Sequence, residues 1–128
     1  MPTTLALIAH DSQKDQLVEF FRDCAGTISR YEIVATEGTG AALTQRADAI
    51  VESVLPGAMG GDVQIAARVV EGTVAAVIFL SDSLSSDVYS TSVSLLMRVC
   101  QLHDVPIATN LATAKAVVMS LAKSRLAH

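Results

Sequence analysis

Short runs of apolar residues recur along this chain, separated by longer stretches whose apolar positions return every three or four residues. The first pattern is that of buried strands and the second that of amphipathic helices. Leu5 to Ala9 predicts a first strand, and Gln13 to Cys24 a helix with Leu17, Phe20, Phe21 and Cys24 on one side. Tyr31 to Thr36 predicts a second strand, Ala41 to Ala49 a short helix, and Ile50 to Leu55 a third, weaker strand. Asp62 to Glu71 reads as a helix stopping at Gly72, a residue suited to a helix C-cap. Val74 to Leu80 is the clearest strand, nearly all apolar, as expected of one buried on both faces. Ser90 to Leu102 then predicts a helix, Val105 to Thr109 the last strand, and Ala112 to Ala127 the last helix.

Strands alternating with helices imply parallel strands joined by right-handed crossovers. The expected fold is therefore α/β: a three-layer α/β/α sandwich around a central, mainly parallel five-stranded sheet. No linker, repeat or low-complexity stretch divides the 128 residues, so a single domain over 1–128 is expected.

Composition narrows the function. Hydrophobic residues make up 51%, enough for a core without metals or disulfides. Aromatics at 4% and a net charge of −4 argue against a nucleic-acid platform or a grip on anionic lipid. Cys24 and Cys100 match no metal-ligand spacing and read as reduced thiols. Met1-Pro2-Thr3-Thr4 runs into the first strand with no basic region, so no signal peptide is expected. No apolar run approaches the ~20 residues of a membrane span. The expectation is a soluble, cytoplasmic protein.

In an open parallel sheet, ligands bind beyond the carboxyl ends of the strands, where loops and helix N-termini converge. The unusual polar and glycine residues fall on that edge. His10, Asp11 and Lys14 follow the first strand, and Glu37-Gly38-Thr39-Gly40 the second. Pro56-Gly57-Ala58-Met59-Gly60-Gly61-Asp62 follows the third, Asp82 the fourth and Asn110 the fifth. Gly38-Thr39-Gly40 before a helix offers amides, a hydroxyl and a helix dipole to an anion, or is a simple glycine turn. It is neither a dinucleotide fingerprint nor a Walker loop. Asp62 is an N-cap or a functional carboxylate. Asp11 caps the first helix beside a spacer His10, or the pair does chemistry. A response-regulator receiver would need an acidic pair, an acceptor Asp and a Lys at strand ends where this chain has His10-Asp11, Pro56-Gly57 and Asn110.

Taken together, these residues resemble the methylglyoxal synthase family over essentially the whole chain. The resemblance rests on Ala9-His10-Asp11 with Lys14, Ala35-Thr36 with Thr39-Gly40, and Gly57 with Gly60-Gly61-Asp62. It continues through Ile78-Phe79 with Asp82, Arg98, and Pro106-Ile107-Ala108-Thr109-Asn110. It implies conversion of dihydroxyacetone phosphate to methylglyoxal and inorganic phosphate by a homohexamer, with no metal or organic cofactor. Asp62 would be the general base that enolises the substrate, with Asp11, Asp82 and His10 as further active-site groups. Lys14, Thr36, Gly38, Thr39 and Gly57, with His10, would hold substrate and phosphate.

The chain also departs from the family pattern. Glu37 stands where a glycine is usual in the phosphate loop, and Pro56 where a serine contacts phosphate. Two like unit charges ~6 Å apart at an effective dielectric near 20 repel by roughly 3 kcal/mol, so Glu37 must point away from a bound phosphate, or the anion must be weaker or different. Tyr89 replaces the histidine that polarises the substrate, and Ser92 a following aspartate. An alternative is a non-catalytic phosphometabolite-binding module, similar to the regulatory domains of this fold in carbamoyl phosphate synthetases, or a related lyase with another substrate.

Overall fold

The computed structural model describes residues 2–82 and 90–126, the side chains of 90, 91 and 124–126 excepted. Five parallel strands form one sheet: β1 (Thr4–Ala9), β2 (Glu32–Thr36), β3 (Val51–Val54), β4 (Val74–Leu80) and β5 (Ile107–Ala108). Their order is β3-β2-β1-β4-β5. The chain winds outward from β1 through β2 to β3, then returns to place β4 on the other side of β1. β1 aligns Leu5 with Ile33 of β2 and with Ala76 of β4.

Among the described residues, six α-helices flank the sheet: α1 (Lys14–Asp23), α2 (Ala25–Ile28), α3 (Glu37–Ala47), α4 (Gly61–Val70), α5 (Ser90–Leu102) and α6 (Leu111–Leu126). Strand side chains alternate between faces, and the core divides accordingly. Leu5, Leu7 and Ala9 of β1 pack with Leu17, Val18 and Phe20 of α1, Leu43 of α3 and Val118 of α6. Ala6 and Ile8 point the other way, against Ile65, Ala66 and Val69 of α4 and Leu96, Val99 and Cys100 of α5. This is the expected three-layer arrangement. No helix among the described residues is long and apolar enough to cross a membrane.

Four local expectations are corrected. Helix α3 begins at Glu37, so Gly38-Thr39-Gly40 forms its first turn rather than a loop before it. Asp62 is inside the first turn of α4 and caps nothing; the N-cap position is Gly60, with φ of 100°. Asp11 makes no capping hydrogen bond either, and its carboxylate turns to Lys14. The last strand is only two residues long, at a sheet edge beside Pro106, which has no amide to donate to a ladder.

Candidate active site

The strand order reverses between β1 and β4, and helices from both sides open onto that point. A cleft of about 160 Å³ lies there. Its wall carries Ile8, Ala9, His10, Asp11 and Lys14 from the end of β1 and the turn beyond it. Thr36, Gly38 and Thr39 come from the β2–α3 junction, and Pro56, Gly57, Ala58 and Asp62 from the β3–α4 junction. Phe79 of β4 and Ser92 of α5 complete it. Every sequence-predicted site residue among those described reaches this cleft except Asp82.

The β2–α3 side is built on threonine. Thr39 Oγ1 accepts the Ala9 amide proton at 3.1 Å and the Thr36 hydroxyl at 3.2 Å, and donates to the Ala9 carbonyl at 3.4 Å. A hydroxyl has one proton and two acceptor sites, so Thr39 is fully used in tying α3 to the end of β1. The first amides of α3 have no carbonyl one turn earlier to bond. Together with the dipole they make that end a place for an anion. The Lys14 ammonium lies over it: a Cβ added at Gly38 would be 2.8 Å from Lys14 Nζ.

Lys14 also pairs with Asp11, whose side chain is 91% exposed. The Lys14 hydrogen bond, followed by its charge, holds the Asp11 carboxyl below the ordinary carboxylate range. At that exposure the pair contributes little stability. Glu37 is exposed and faces a different groove with Glu52, Gln64 and Arg68. The like-charge conflict with an anion in the cleft is thus avoided by direction.

His10 is 6% exposed, and its ring meets the edge of Phe79 with centroids 5.3 Å apart. Its Nδ1 accepts the Asp82 amide at 2.7 Å. The proton of the neutral ring is therefore on Nε2. Burial pushes the imidazole below its ordinary pKa, against the charges of Asp82 and Asp11, which pull it up. Asp82 does not line the cleft; its carboxylate accepts the Ser12 hydroxyl at 2.9 Å, so it sets His10 in place from outside the wall.

Asp62 is aimed by glycine. Gly60 takes a left-handed conformation, and a Cβ at Gly61 would be 1.9 Å from the Leu55 carbonyl oxygen. The Gly61 amide donates to the Pro56 carbonyl at 3.0 Å, and Gln64 Oε1 accepts the Leu55 amide at 2.8 Å. This closed turn delivers the half-buried Asp62 to the cleft, where the Ser92 hydroxyl donates to its Oδ2 at 2.6 Å. Tyr89 lies outside the described residues. Sequence reasoning misses Ser12, although it follows His10-Asp11 at a strand end, and it reads Ser92 as a lost carboxylate rather than a donor.

Fold and site define a doubly wound parallel α/β protein with its cleft at the switch point, floored by a helix N-terminus and edged by a carboxylate. A family profile described as "MGS-like domain" matches residues 16–109. A methylglyoxal synthase of Thermus thermophilus is 47% identical over 93% of this chain and 94% of its own length. An uncharacterized protein of Synechocystis sp. is 43% identical over the whole chain, which spans only 30% of that relative's length. The crystal structure of a methylglyoxal synthase from Elizabethkingia anophelis superposes with a TM-score of 0.81, at 30% identity, over 91% of this chain and 77% of that one. The chain belongs to the methylglyoxal synthase family, a family of lyases acting on a phosphate ester.

Proposed function

We propose that this cleft converts dihydroxyacetone phosphate to methylglyoxal and inorganic phosphate. The observation that carries the reading is a single cleft combining a carboxylate, Asp62, with a cationic anion cradle, Lys14 over Gly38 at the start of α3. The substrate phosphate is held by Lys14, Thr36 and the first amides of α3, with Gly57 on the opposite wall. That leaves the three-carbon body between His10 and Asp62. Asp62 takes a proton from the hydroxymethyl carbon, and the electron pair moves to the carbonyl oxygen, giving an enediolate. His10 flanks that oxygen in the cleft wall. As the carbon–oxygen bond to phosphate breaks, phosphate leaves with the bonding pair and takes the proton of the terminal hydroxyl, whose oxygen becomes the aldehyde carbonyl while the double bond shifts to the carbon that carried phosphate. Protonated Asp62 returns its proton to the central oxygen, and the resulting enol tautomerises to methylglyoxal. A positioned base contributes about 10²–10⁴ in rate and an oxyanion donor about 10²–10³.

The test is release of methylglyoxal from dihydroxyacetone phosphate by purified protein. Asp62→Asn should abolish turnover while leaving phosphate-induced thermal stabilisation within a few-fold; unchanged production would remove Asp62 as the base. A second reading, a regulatory ligand-binding module, is favoured by one observation: an equivalent stretch makes up 30% of a longer relative. Stabilisation by phosphate without turnover would select it, since a ligand that binds only the folded state raises stability.

A further inference from the structure

We propose that Ser92 is a positioning residue for Asp62. The inference rests on Asp62 acting as the base and concerns what aims it. Helices α4 and α5 pack against each other, and Asp62 and Ser92 both stand in first turns, so two helix N-termini meet at this contact. Ser92 is 9% exposed and Asp62 half-buried.

The contact is a charge-assisted hydrogen bond of 2.6 Å from Ser92 Oγ to Asp62 Oδ2. Such bonds are short and about twice as strong as neutral ones. Here the Ser92 donor goes across to the neighbouring helix.

The consequence is an asymmetric carboxylate. Oδ2 is occupied by a neutral donor on a packed helix, and rotation of the carboxylate is restrained. Oδ1 is then the oxygen turned to substrate. A neutral donor leaves Asp62 the one ionisable partner of this contact. Two acids in contact cannot both ionise, and they titrate as a pair sharing one proton. Ser92 therefore replaces charge by hydrogen bonding, rather than leaving a gap.

Three variants of the full chain, assayed for kcat, KM and pH–rate profile with dihydroxyacetone phosphate, decide the matter. Ser92→Ala should lower kcat about tenfold to a hundredfold, the range for a hydrogen bond to a charged group, with KM changed less than about twofold. Ser92→Asp should move the acidic limb of the profile upward by about one pH unit or more. Asp62→Asn should abolish turnover. A Ser92→Ala kcat within twofold of the parent, a loss confined to KM, or an unmoved limb in Ser92→Asp overturns the role of Ser92 while Asp62 as base stands. Turnover by Asp62→Asn, or none by the unaltered chain, overturns the base assignment and this inference with it.

Discussion

The two glycine-bearing segments of the cleft look alike in sequence and differ in physics. Gly38-Thr39-Gly40 adopts ordinary helical geometry, and neither of its glycines has a positive φ. What a Cβ would meet at Gly38 is the tip of the Lys14 side chain, and at Gly40 the Ser53 hydroxyl at 2.4 Å. Gly60-Gly61 is a left-handed turn followed by a residue pressed against a backbone carbonyl. The first segment needs small residues so that movable groups can come close. The second needs them because the backbone has no other path. Glycine content marks both, but only the second is fixed by backbone geometry.

The largest expected effect falls on the second segment. Gly61→Ala must push the Leu55 carbonyl away, and overpacking of this kind costs typically 1–3 kcal/mol or more. Denaturant unfolding should show a loss of that order, accompanied by a fall in turnover as Asp62 is displaced. A stability within about 0.5 kcal/mol of the parent would show that the β3–α4 turn gives way easily and would erase the contrast.

Thr39→Val tests what holds the first segment. It keeps the shape but removes the partner of the buried Ala9 amide, and an unsatisfied buried donor costs about 1–3 kcal/mol. A loss in that range, measured by the same unfolding curves, is expected together with a rise in KM as α3 loosens from β1. No change in either would mean that the threonine cluster is incidental.

Gly38→Ala should have the smallest effect on stability, about 0.5 kcal/mol in either direction, because alanine suits a helix and only a flexible lysine must move. Its effect should appear in substrate affinity, with KM raised several-fold and kcat largely kept. A destabilisation as large as that of Gly61→Ala would put the two segments in one class.

The same contrast explains what could be read from the sequence. Strand and helix alternation, the five strands and the cleft at their ends follow from apolar periodicity, because each strand is flanked by breakers and each helix shows one buried face. The start of α3 is misplaced because two glycines in three residues lower helix propensity, whereas Thr39 holds the turn through residues 30 positions away. Long-range hydrogen bonds leave no local signature. Asp62 looks like an N-cap by residue type, and only the conformation of Gly60 shows that the helix has already been entered. The Ser92 to Asp62 contact is likewise 30 residues apart and joins two helices, so no spacing rule could reveal it.

The hold on His10 has a consequence for how this cleft tolerates change. Its tautomer is set by a main-chain amide, that of residue 82. Substitution at 82 can delete a negative charge, alter size or abolish the contact with Ser12, yet the amide survives in every residue except proline. The protonation pattern of the ring is therefore inherited from the route of the backbone out of β4. Mutational drift at 82 can retune the electric field around His10 without reversing which nitrogen offers its proton.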